Sequence, residues 1–166
     1  MLRVVAWLIG LVLAVLLILP LQAANPMSLV ADINQIADPH SDSFPVQSLV
    51  VGNQFFFTAD DGINGTELWV SNGTPSGTHL VRDINPGSAG SNPDQFVALG
   101  DLLLFRASDG GFYGNHELWR SDGTAAGTWR VRDIRPGPFG SNPAWLTTIG
   151  NVVYFTADDG TSGTEL

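Results

Sequence analysis

Beyond position 24 the apolar residues of this chain come in short runs, and no stretch holds them on a 3.6-residue period. The runs are closed by turn residues, as at Gly100-Asp101, Asp109-Gly110-Gly111 and Asp122-Gly123-Thr124. Such dipeptides supply the backbone angles of hairpins and tight turns. Between them the pattern predicts strands over 96–99, 102–107, 116–121 and 128–134. The second strand of each group, 54–59 or 152–157, is apolar on both faces, which suits a sheet packed front and back. The expected fold class is all-β.

The whole pattern recurs. FFFTADDGINGTELWVSNGTPSGTHLVRDINPG surrounds Glu67, LLFRASDGGFYGNHELWRSDGTAAGTWRVRDIRPG surrounds Glu117, and VYFTADDGTSGTEL begins a third copy at Glu165. The aligned Asp-Ile pairs at Asp32, Asp83 and Asp133 give spacings of 51 and then 50 residues. Four strands in such a unit match the blade of a β-propeller, whose repeats run to about 40–50 residues. Residues 25–166 therefore read as about three repeats of four antiparallel strands. The first is atypical, because Asp32-Ile33 is followed by 34–44 without a Pro-Gly frame, and the last is truncated. Propellers need about 4–8 blades, so the expectation is an incomplete ring and a piece of a longer protein.

A register follows if Asn72-Gly73-Thr74-Pro75-Ser76-Gly77 is a loop. Glu67 then lies opposite Arg82 and Trp69 opposite Leu80, while Glu117 lies opposite Arg132 and Trp119 opposite Arg130. Glu and Trp share one face, and Leu68 and Val70 take the other. The expectation is a cross-strand Glu–Arg ion pair beside a Trp that covers the neighbouring blade. Glu67, Trp69, Arg82 and Asp83, with Glu117, Trp119, Arg132 and Asp133, are thus read as structural residues of the repeat. The connections at 86–93 and 136–143 repeat their Pro and Gly positions and predict a defined loop between blades.

Residues 1–24 are set apart from this. Arg3, the apolar run 4–19 and Pro20-Leu21-Gln22-Ala23-Ala24 have the layout of a secretory signal peptide, cut after Ala23 or Ala24. The run falls short of the ~20 residues of a membrane span. Without Arg3, six Arg and no Lys face 16 Asp and Glu, leaving a net charge of −10. That balance repels phosphates and anionic lipid, so nucleic acid and membrane surfaces are not expected partners. The chain has no Cys, which excludes disulfides, thiol catalysis and thiolate-bound metals.

Glu-Leu-Trp-Val-Ser-Asn-Gly-Thr at 67–74 and Glu-Leu-Trp-Arg-Ser-Asp-Gly-Thr at 117–124 resemble the ELWxxDGT repeat family of secreted bacterial proteins. Gly127-Thr128 and Asp133-Ile134-Arg135-Pro136-Gly137 fit the same resemblance, which covers essentially the whole chain after residue 24. It implies a large exported protein of many propeller-like repeats, secreted or held at the cell surface, and no defined enzymatic activity. The first copy departs from the pattern with Asn72 in place of Asp.

Candidate chemistry is sparse. Asp60, Asp61, Asp158 and Asp159 sit in Asp-Asp-Gly clusters that offer hard oxygen ligands to calcium. The competing reading is plain turn formation, favoured because no DxDxDG ladder is present. His40, His79 and His116 occupy unrelated repeat positions, and no Gly-x-Ser-x-Gly is found. A Glu present in every repeat argues for structure rather than catalysis. Trp69 and Trp119 are expected in the core, whereas Trp129 and Trp145, which do not repeat as Trp, are the candidates for a surface role. No catalytic or cofactor-binding residue is assigned. Two function classes follow: a non-catalytic interaction or adhesion module for an extracellular protein or glycan, and a propeller-bearing hydrolase or lyase with its active site elsewhere. The first is preferred.

Overall fold

A computed structural model describes residues 30–35, 42–111 and 114–166. The expected signal peptide, His40 and the loop tip at 112–113 lie outside the described residues. No described helix is long and apolar enough to cross a membrane.

Among the described residues eleven strands form three antiparallel sheets. The first holds β1 (Ser48–Val51), β2 (Gln54–Asp60), β3 (Thr66–Ser71) and β4 (His79–Arg82), in that order. The second repeats it with β5 (Asp94–Leu99), β6 (Leu102–Ser108), β7 (His116–Ser121) and β8 (Trp129–Arg130). The third holds β9 (Ala144–Ile149), β10 (Val152–Asp158) and β11 (Thr164–Glu165). The fold is all-β, as expected from the sequence. Each first hairpin turns at Gly52, Gly100 or Gly150, whose φ of 57, 59 and 62° would strain any residue with a Cβ.

The sheets stack as propeller-like blades. β1 lies beside β5, and β5 beside β9. The Thr148 hydroxyl donates to the Ala98 carbonyl at 2.6 Å, and the Trp145 N–H donates to Gln95 Oε1 at 3.1 Å. Phe56, Leu68, Val70, Val81 and Ile84 of the first blade pack on Leu103, Phe105, Ala107 and Trp119 of the second in one core. Both faces of β2 and β6 are covered for most of their length, which explains their lost alternation. Each large apolar side chain buried this way is worth roughly 1.5–3 kcal/mol. The blades do not close into a ring.

One register expectation fails. Trp69 does face Leu80 and Trp119 does face Arg130, but Arg82 faces Leu68 rather than Glu67. A β-bulge adds one residue to the fourth strand at this point, and a one-residue slip moves a side chain to the other face. The Arg82 guanidinium therefore reaches the next blade and donates to the Thr128 carbonyl at 2.7 Å. Arg132 is exposed. In neither repeat do Glu and Arg meet. The fourth strand of the second blade, expected over 128–134, is only Trp129–Arg130, although the Val131 N–H still donates to the Leu118 carbonyl at 2.8 Å.

Candidate functional site

The recurring glutamates are the most deeply placed charged groups. Glu67 and Glu117 show no exposed surface, each at the second residue of a third strand. The residue opposite is Ala59 or Ala107, small enough to leave room for the carboxylate. What Glu holds is the loop that leads to the next blade. Glu67 accepts from the N–H of Asn85 and Ser91, at 3.1 and 2.8 Å, and from the Ser91 hydroxyl. Glu117 accepts from the N–H of Ile134, Arg135 and Ser141, at 3.2, 3.3 and 2.9 Å, and from the Ser141 hydroxyl at 2.6 Å. Burial pushes the Glu67 carboxyl up to about 7, against the opposing pull of the Ser91 hydroxyl and the loop N–H groups.

This clasp explains the loop sequence. The Gly90 and Gly140 backbones run directly over the start of the third strand, where a Cβ would come 2.4 Å from the Thr66 nitrogen and 2.1 Å from the His116 nitrogen. The Asn92 and Asn142 N–H groups then donate to the carbonyls of Thr66 and His116 at 3.0 and 3.1 Å. Ser91 and Ser141 are the partners that sequence reasoning missed. Their signal was a fixed separation of 24 residues from each Glu.

The candidate calcium carboxylates are engaged in turns. Asp60 accepts from the Gly62 N–H, and Asp61 from the N–H of Ile63 and Asn64. Asp158 accepts from the Gly160 N–H and from Arg135 at 2.5 Å, and Asp159 from the N–H of Thr161 and Ser162. Burial raises the Asp61 carboxyl, but hydrogen bonds from Asn64 and Ile63 outweigh it and hold it below its ordinary value. The Ser162 and Thr161 N–H groups hold Asp159 low in the same way. Among the described residues no three His, Asp or Glu side chains converge as a metal group.

The Asp of the eight-residue motif is a turn acceptor as well. Asp122 Oδ1 accepts from the Thr124 N–H and hydroxyl at 2.9 and 2.7 Å, and Asn72 Oδ1 does the same for Thr74 at 3.1 and 2.7 Å. A single neutral oxygen suffices, which is why Asn72 stands in the first copy without harm. The flanking Ser and Thr hydroxyls pair across the loop, Ser71 with Thr78 at 2.6 Å and Ser121 with Thr128 at 2.8 Å.

The other repeat residues are dispersed. Trp119 is buried against the first blade and Trp69 is half-buried, each with its indole N–H out of water and without an acceptor. Asp133 lies 3.7 Å from Arg130, and Asp83 is half-buried. His79 is exposed. Burial and the nearby Arg106 charge hold the His116 imidazole below its ordinary value. Trp129 and Trp145 lie at the surface, as expected. Trp129 stacks under the Arg120 guanidinium at 3.9 Å, while Trp145 is 79% exposed and holds a φ of +60°. No family model, curated protein or solved structure matches this chain.

Proposed function

We propose that this chain is a non-catalytic interaction or adhesion module, exported by a bacterial cell and secreted or displayed at its surface. One observation carries the reading. The repeated ionisable groups are consumed inside the scaffold, Glu67 and Glu117 by their loops and the Asp clusters by their turns, whereas the exposed aromatics break the repeat. Trp145 stands where the preceding blade has Gln95, and Trp129 where the first has His79. Flat apolar rings on a rigid sheet suit a glycan or a protein surface. The resemblance to ELWxxDGT repeats supports export and the absence of a defined activity.

The test is binding of the purified product to an array of glycans and extracellular proteins, beside Trp145→Ala and Trp129→Ala. Saturable binding that at least one substitution removes, without a change in melting temperature, supports the module. Binding indifferent to both, or turnover of a polysaccharide by the purified product, overturns it.

A further inference from the structure

Asn72 begins the loop between β3 and β4, and Asp122 begins its twin in the second blade; both residues are exposed. The Asn72 amide is held in one place. It lies over Gly77, where a Cβ would come 2.0 Å from Oδ1, and Oδ1 accepts from the Thr74 N–H at 3.1 Å and the Thr74 hydroxyl at 2.7 Å. The next backbone N–H, that of Gly73, donates to Ser71 Oγ at 3.0 Å. The Thr78 hydroxyl donates to the Thr74 carbonyl at 2.8 Å, so Ser71 is the donor in the Ser71–Thr78 pair and keeps a lone pair for Gly73.

The twin loop shows what the two threonine donors do to charge. Hydrogen bonds from the Thr124 hydroxyl and N–H hold the Asp122 carboxyl below its ordinary value. Donors in this place therefore stabilise a negative oxygen. On Asn72 the same oxygen becomes negative when a nucleophile adds to the side-chain carbonyl, so the Thr74 pair is placed as an oxyanion hole. The nucleophile within reach along the chain is the Gly73 nitrogen, which has no side chain to crowd its approach. Asp122 with the same donors is ionised, and a carboxylate resists such addition.

We propose that Asn72-Gly73 is a self-modifying site that loses ammonia through a cyclic imide. The Gly73 nitrogen bonds to Asn72 Cγ as its proton passes to water by way of Ser71 Oγ. The Cγ–Nδ2 bond then breaks, and Nδ2 takes up a proton and leaves as ammonia. Water opens the imide at either carbonyl, giving aspartate or isoaspartate at position 72. The aspartate product is the residue that the twin loop already carries, whereas isoaspartate adds a methylene to the loop backbone. Asn64-Gly65 is the internal control. Asn64 Nδ2 donates to the Asp61 carboxylate at 2.8 Å, a charge that opposes an oxyanion. Gly65 lies against the clasped loop, where a Cβ would come 2.6 Å from the Gly90 nitrogen.

The experiment incubates the purified 166-residue chain at mildly alkaline pH, folded or in urea, and follows both Asn-Gly steps by peptide mapping and mass spectrometry. In the folded chain, position 72 should convert about tenfold or more faster than position 64, and faster than it does in urea. Thr74→Val removes the hydroxyl donor but keeps the N–H, and should slow conversion about tenfold or more; Thr74→Ser should restore it. Conversion at position 72 that is no faster folded than in urea overturns the proposal, as does an unchanged rate in a folded Thr74→Val chain. If Thr74→Val does not fold, the comparison of the parent chain folded and in urea decides.

Discussion

The two seams between blades are made of nearly the same residues and differ in how they are closed. Between the first and second blades, β7 lays Trp119 across Leu68, Val81 and Ile84, and Phe105 is wholly buried. Between the second and third, the described residues of β11 pair at two positions, Val131 is exposed and Phe155 is half-buried. The first blade makes the same point at its other face. Trp69 lines a cavity together with Ala31, Asp32 and Ile33, and among the described residues it is half-buried. In the closed seam the neighbour's third strand thus completes the core of the first blade. That is the physical meaning of a repeat which cannot bury its apolar face alone.

The two seams differ most at the aromatic pair Phe105 and Phe155. Phe105→Ala should cost about 3–5 kcal/mol, and Phe155→Ala, at a partly solvated site, about 1–2 kcal/mol. Urea unfolding of the two variants checks this; equal losses would mean that the two seams are equally packed. Next come the clasps. Glu117→Ala strands several buried donors and should cost about 3 kcal/mol or more, with Glu117→Gln losing less. Glu67 adds a pH dependence. It binds its proton more tightly folded than unfolded, so it contributes stability that is complete below the ordinary value of 4.5 and is lost as pH rises through about 7. Melting curves across that window should show the decline, and Glu67→Gln should flatten it.

Smaller effects test the loops. Gly140→Ala forces a Cβ against the His116 backbone and should cost about 1–3 kcal/mol, seen as a lowered melting temperature. Asp61→Ala removes turn hydrogen bonds from a solvated loop and should cost about 0.5–1.5 kcal/mol. The loss should be the same with and without excess calcium, since the carboxylate already caps the Ile63 and Asn64 N–H groups. A calcium-dependent loss would instead point to a metal in the loop.

Sequence periodicity carried the architecture well, because strands, hairpin glycines and blade length are local properties. It also placed Trp119 in a seam and Trp129 and Trp145 at the surface. The Glu–Arg pairing failed because a bulge is invisible to a rule that counts residues evenly along two strands. Arg82 and Glu67 have opposite charges at plausible spacing, yet one extra residue sends them to different faces. The true partners of Glu are backbone N–H groups of a loop, which leave no trace in side-chain chemistry except at Ser91 and Ser141. The first unit hid a related signal. The Ser43 carbonyl accepts from the Asp60 N–H as Ser91 does from Ser108 and Ser141 from Asp158. Phe44 there holds a φ of 40°, close to the 48 and 47° of Asn92 and Asn142. Ser43-Phe44-Pro45 is thus the Ser-Asn-Pro step in another form, masked by Phe at a position where Asn is the easier residue.

The repeated Glu is a structural clasp on the loop between blades. The decisive measurement is a double-mutant cycle between Glu117 and Ser141, read by urea unfolding of Glu117→Gln, Ser141→Ala and the combined variant. A coupling of about 1–3 kcal/mol is expected, the double variant losing clearly less than the two single losses together. Additive losses, with Glu117→Gln as stable as the parent, would mean that the carboxylate does not hold the loop.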